Sequence, residues 1–158
     1  MHSKIFQIST KPISVDERLS IESVEEMNFQ DFADNIGDEV EEGDRFFLIE
    51  NLVRNSNGMF TIGDVIPYQE TLHFNGFDNF FDEWKRSIIK EVESLEKDSM
   101  WQAHKIRNLI DRTHLGISYR FFIEEFNGYL GPFSDLIDAI QNTRPSVLYI
   151  GSIIDFHY

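Results

Sequence analysis

The stretch Gly76 to Lys97, GFDNFFDEWKRSIIKEVESLEK, carries the clearest physical period in the chain. Phe77, Phe80, Phe81, Trp84, Ile88, Val92 and Leu95 recur at the spacing of an α-helix and draw one apolar stripe along it. The spacing predicts a helix with that whole face buried and Trp84 in the middle of the main core. Asp78 or Asn79 suits the cap, Asp82 and Glu83 lie toward the positive end of the helix dipole, and Lys97 falls in the last turn. At about 1.5 Å of rise per residue the segment spans roughly 33 Å, the width of a small domain, so it can back a single core.

Downstream, Trp101 to His114 reads as a second helix, with Ala103, Ile106, Ile110 and Thr113 aligned and Gly116 as its stop. The two helices are expected to pack as a hairpin or a broken pair. Ile117 to Ile123, ISYRFFI, is β-branched and aromatic along almost its whole length and predicts a strand inside a sheet. Pro132 opens a helix to Asn142 with Phe133, Leu136, Ile137 and Ile140 inward. Ser146 to Ile150 and Ile153 to His157 read either as one strand kinked at Gly151 or as a hairpin turning at Gly151-Ser152.

Upstream, Thr71 to Phe74 is a short strand leading into the long helix, and Met59 to Ile62 with Val65 to Tyr68 reads as a hairpin about Gly63-Asp64. Asn55 to Gly58, NSNG, is a strong breaker. Before it, Arg45 to Asn55 allows a buried strand through FFLI, but Phe46, Ile49 and Val53 with a cap at Asp44 favour a helix. Asn28 to Gly37 reads as a helix burying Phe29, Phe32, Ala33 and Ile36, and a loose helical turn is expected near Ile21 to Glu26. Lys4 to Ser9 is a strand ended by Pro12. Together these elements predict an α+β single domain: one mixed or mainly antiparallel sheet of about four to six strands with four or five helices packed on it.

With 158 residues and no cysteine, the chain can bury a sufficient core without disulfides, and a thiolate metal site and a cysteine nucleophile are both excluded. MHSKIFQIST has no apolar run of signal-peptide length and no stretch is long enough to span a membrane, so a soluble cytoplasmic protein is expected. Fifteen phenylalanines point to a core filled with large rings.

The formal net charge is -14, and it is unevenly spread. Between Asp16 and Glu50, thirteen acids face two arginines, a local -11, whereas Lys85 to Arg120 has eight bases against five acids. So acidic a segment repels phosphates and attracts basic partners, which disfavours direct nucleic-acid binding. Asp31, Asp34, Asp38, Glu39, Glu41 and Glu42 are expected to project as an acidic face.

No phosphate-binding, dinucleotide, nucleophile-elbow, zinc-helix or EF-hand motif is present. His104, Asp111 and His114 share a predicted helix and are the candidate metal ligands, but one helix does not readily bring three such groups to one ion, so no metal or other cofactor is expected. His73 beside the strand-to-helix junction suits a partly buried structural role more than a pocket, and Tyr119, Arg120, Asp155 and His157 are candidates to meet as a polar site. The reading leans to a non-enzymatic binding protein engaging a basic protein, as an immunity protein, toxin antagonist or charge mimic would. The alternatives are a small enzyme with a histidine and carboxylate pocket, or a subunit of a homo-oligomer.

Overall fold

The computed structural model describes residues 2–27, 34–66, 69–96, 100–110, 117–126 and 130–157. In chain order these form β1 (His2–Ser9), a 3₁₀ turn (Val15–Glu17), α1 (Ile21–Glu25), β2 (Asn35–Glu39), α2 (Glu42–Asn55), β3 (Phe60–Ile62) and β4 (Thr71–Phe74). There follow α3 (Asp78–Glu93), α4 (Met100–Ile110), β5 (Arg120–Ile123), a second 3₁₀ turn (Glu124–Phe126), β6 (Leu130–Gly131), α5 (Phe133–Thr143) and β7 (Val147–His157). The α+β fold class is as the sequence predicts, with one more strand than expected: seven described strands form one mixed, open sheet, and five helices accompany it.

A strand, rather than the long helix, organises the fold. β7 runs unbroken through Gly151-Ser152, so the hairpin alternative does not occur. One edge of β7 pairs antiparallel with β1 over nearly its whole length. Its other edge is shared, the first half by β4 and the second half by β2. Beyond β1 lies β5, parallel to it, and then β6; beyond β4 lies β3. β5 therefore sits inside the sheet, though it is shorter than the Ile117 to Ile123 stretch suggests.

The pairing of β1 with β7 shifts register between Phe6 and Ile8, so Gly151 and Ser152 together face Gln7 in a bulge. Gln7 is fully buried there with its whole amide satisfied. Its Oε1 accepts from the Leu19 and Ser152 N–H groups, both at 3.0 Å. Its Nε2 donates to Glu17 O at 2.8 Å and to Glu124 Oε1 at 2.6 Å. The carbonyl of Gly151 is taken by the buried Arg45, whose guanidinium also forks onto both oxygens of Glu70.

Alternation along the strands separates two cores. Phe6, Ile8, Phe121, Ile150 and Ile153 face α2, α3 and α5, whose inward residues are Ile49 and Leu52, Phe80, and Phe133, Leu136, Ile137 and Ile140. Ile5, Ile36, Phe122, Ile154 and Phe156 face Leu19 and Val24 on the opposite side. α5 matches its sequence reading because every signal is local: Pro132 fixes the entry, and the apolar spacing is helical throughout.

Four readings are corrected. First, the region expected as a helix from Asn28 to Gly37 ends in a strand, β2, held by backbone bonds to β7; residues 28–33 lie outside the described residues. Second, α2 starts at Glu42, not at Arg45 behind an Asp44 cap, and its inner face is Arg45, Ile49 and Leu52. Reaching the bulge turns Arg45 inward and leaves Phe46 and Phe47 exposed. Third, β3 pairs with β4 and not with the stretch that opens at Val65, and the described residues of the connecting loop are 63–66 and 69–70. In that loop Gly63 N–H bonds Thr71 O at 2.8 Å and the buried Gln69 donates to Ile150 O; Pro67 and Tyr68 lie outside the described residues.

Fourth, only the start of the long helix is covered. Phe80 is 2% exposed and Phe77 and Phe81 pack against the core, but Trp84 is half-buried at the end of this aromatic row. Val92 and Leu95 are 48% and 44% exposed, and among the described residues α4 is the element that this helix meets most. Phe77 stands at the cap position in place of Asp78, and the helix closes at Ser94.

Candidate functional site, an acidic groove at one end of the sheet

The face of the sheet that carries the three large helices is left uncovered at one end, where β2 leads into α2. Glu39 closes β2, the Val40 N–H bonds the Ile153 carbonyl at 2.8 Å, and α2 begins behind Glu41. The chain therefore turns back over the end of β7 and leaves a cavity of about 530 Å³. Its floor is Lys4 of β1 with Asp155 and His157 of β7. Its rim is Gly37 to Glu41 with Asp44, and its apolar wall is Val40, Phe47 and Leu48.

Register explains the floor. Lys4 stands opposite Asp155 and His2 opposite His157, and all four side chains share the face that carries Phe6 and Ile153. Lys4 Nζ donates to Asp155 Oδ1 at 2.7 Å, and His2 Nδ1 lies 3.1 Å from Asp155 Oδ2. The His2 and His157 rings approach to 3.7 Å between centroids. Partial burial works against the charge of Asp155, but the hydrogen bonds from Lys4 and His2 outweigh it and hold this carboxyl below the usual aspartate range. Room above Asp155 exists because residue 37 is glycine: a Cβ there would stand 3.1 Å from Asp155 Cβ.

Of the acids expected to form one face, Asp38, Glu39 and Glu41 line this cavity. Glu42 is exposed in the first turn of α2, and Asp34 is exposed just before β2, its N–H on the His157 carbonyl at 2.8 Å; neither lines the cavity. Asp31 lies outside the described residues. Asp44 and Asp155 also line it, so among the described residues five acids and one lysine border the cavity. Among the described residues, Asp38, Glu39, Glu41 and Asp44 form no ion pair with any lysine or arginine.

No family model, curated protein or solved structure matches this chain.

The remaining candidates fall elsewhere. His104 is exposed on α4 against Trp101, and Asp111 and His114 lie outside the described residues. His73 is exposed on β4, contrary to the partly buried role expected for it. Tyr119 does not join Asp155 and His157; its ring packs on Phe6 at 5.0 Å, and burial raises its phenol above the usual value. The partners that Asp155 and His157 do meet, His2 and Lys4, lie at the other end of the sequence, where no local spacing connects them. Alternation of His2, Lys4 and Phe6 was the one available signal. No helix among the described residues is long and apolar enough to cross a membrane.

Proposed function

We propose that this protein is a non-enzymatic binding protein whose acidic groove receives a basic segment of a macromolecular partner, in the manner of an immunity protein, toxin antagonist or charge mimic. The observation that carries the reading is the lining of the 530 Å³ cavity: Asp38, Glu39, Glu41 and Asp44 line it with no ion pair to a lysine or arginine among the described residues, beside exposed Phe47. Converging like charges repel one another, and a partner's lysines and arginines relieve that repulsion while the field speeds their approach. Val40, Phe47 and Leu48 supply the apolar surface that holds such a segment after encounter.

The test is fluorescence titration with a labelled peptide that interleaves arginine with leucine, at low and at high salt. Asp38→Asn, Glu39→Gln, Glu41→Gln and Asp44→Asn combined should weaken binding by about tenfold or more and flatten its salt dependence. Equal affinity in the combined variant, or binding indifferent to salt, overturns the reading. The enzyme alternative draws on one observation, that Asp155 and His157 line the same cavity. It is favoured if a small-molecule turnover is found that vanishes in His157→Gln.

A further inference from the structure

The floor of the groove holds chemistry that charge attraction to a basic segment does not use. We propose that His2, Asp155 and His157 form a binding site for a divalent first-row ion of the zinc type, with three protein ligands and an open position toward the groove. The inference stands apart from the binding reading above.

The donor set selects the ion. Two imidazoles and one carboxylate are nitrogen-rich donors of intermediate softness, which suits Zn²⁺, Co²⁺ or Ni²⁺. Mg²⁺ and Ca²⁺ require shells built of oxygen, and the chain has no thiolate to favour Cu(I). Geometry makes the set convergent: one donor atom from each of the three lies within 4.8 Å of the others. Donors at about 2.0 to 2.2 Å from a tetrahedral ion stand roughly 3.5 Å apart, so modest side-chain rotation seats the ion. His2, exposed at the start of β1, has the freedom to make that rotation. Asp155 and His157 are fixed two residues apart on the strand that three others pair with.

A second layer is already in place. Lys4 holds Oδ1 of Asp155 at 2.7 Å, which leaves Oδ2 turned toward His2 as the ligand atom. Gly37 keeps the space over Asp155 clear, since any side chain there crowds its Cβ. The surrounding carboxylates of Asp38, Glu39, Glu41 and Asp44 raise the local concentration of cations without being ligands themselves.

The experiment uses the full chain without a histidine tag, stripped with chelator, and titrated with ZnCl₂ by calorimetry and with CoCl₂ by visible absorption. One equivalent should bind, with Co²⁺ bands of a tetrahedral site. His2→Gln and His157→Gln should each weaken affinity by about tenfold or more, while His104→Gln leaves it unchanged. His2→Gln lies at an exposed position and keeps the fold, as circular dichroism will verify. Absence of stoichiometric binding overturns the proposal, as does equal affinity in His2→Gln and His157→Gln. Loss of binding in Asp38→Asn, Glu41→Gln with both histidine variants unaffected also overturns it, by moving the ion to the rim.

Discussion

Gln7 occupies the space that a side chain on Gly151 would need: a Cβ at residue 151 would stand 2.6 Å from Gln7 Cδ. The bulge in β7 and the buried amide in β1 thus specify each other. The amide joins the first 3₁₀ turn, the second 3₁₀ turn and β7 through one side chain, so it ties three separate segments to one register.

The first expectation follows from that fit. Gly151→Ala should destabilise the protein by about 1 to 3 kcal/mol, since the neighbour it meets is a fully bonded buried group that cannot swing aside. Gln7→Leu should cost about 2 to 4 kcal/mol by leaving the Leu19 and Ser152 N–H groups without their acceptor. Urea denaturation measures both.

The second concerns acid. Burial opposes the charge of Glu70, yet the Arg45 fork, with help from a backbone N–H and Arg18, holds its carboxyl below the usual value near 4.5. A depressed folded value means that the pairing stabilises fully above the unfolded value and that this is lost as pH falls through the folded one. Glu70→Gln should cost about 1 to 3 kcal/mol at neutral pH, and the gap between variant and parent should close below about pH 4.5. Urea midpoints across the acid range check the sign.

The third separates the two ends of α3. Phe80→Ala should cost about 3 to 5 kcal/mol, because its ring is enclosed by the main core and meets Phe133. Trp84→Ala should cost less, about 1 to 3 kcal/mol, because its ring is only partly buried, at the end of the aromatic row. Thermal denaturation of the two variants side by side will rank them.

The fourth is dynamic. Amides of β7 that point to β1, such as that of Ile154, should exchange with solvent most slowly, and those of Asn35 to Glu39 on β2 much faster. Hydrogen exchange read by NMR shows the order directly.

What the sequence discloses is what is decided locally. α5 was legible because cap, spacing and burial coincide within eleven residues. β2 was not, because it contributes one buried apolar residue, Ile36, and is held by backbone bonds to a strand more than a hundred residues away. Arg45 broke the apolar pattern of α2 because its partners, Glu70 and Gly151, are remote in the chain. Gly63-Asp64 resembles a tight turn, but cross-strand pairing of Ile62 with Leu72 fixes a wider loop. The acidic run announced Asp38, Glu39 and Glu41, whereas His2 and Lys4 reach Asp155 and His157 only through register.

That β7 joins β1, β2 and β4 has a further consequence for how the protein comes into being. Of the described strands, β7 is the last to leave the ribosome, yet it pairs with three made earlier, the extreme case being His2 with His157. Until it arrives, β1 lacks its longest partner and β2 and β4 have no shared neighbour. Contacts so distant in sequence close loops at high entropic cost and slow the final step of folding. The nascent chain must therefore carry Ile5, Phe6 and Ile8 unburied by β7 until Val147 to His157 has been made, a period when chaperone binding or aggregation competes with the native sheet.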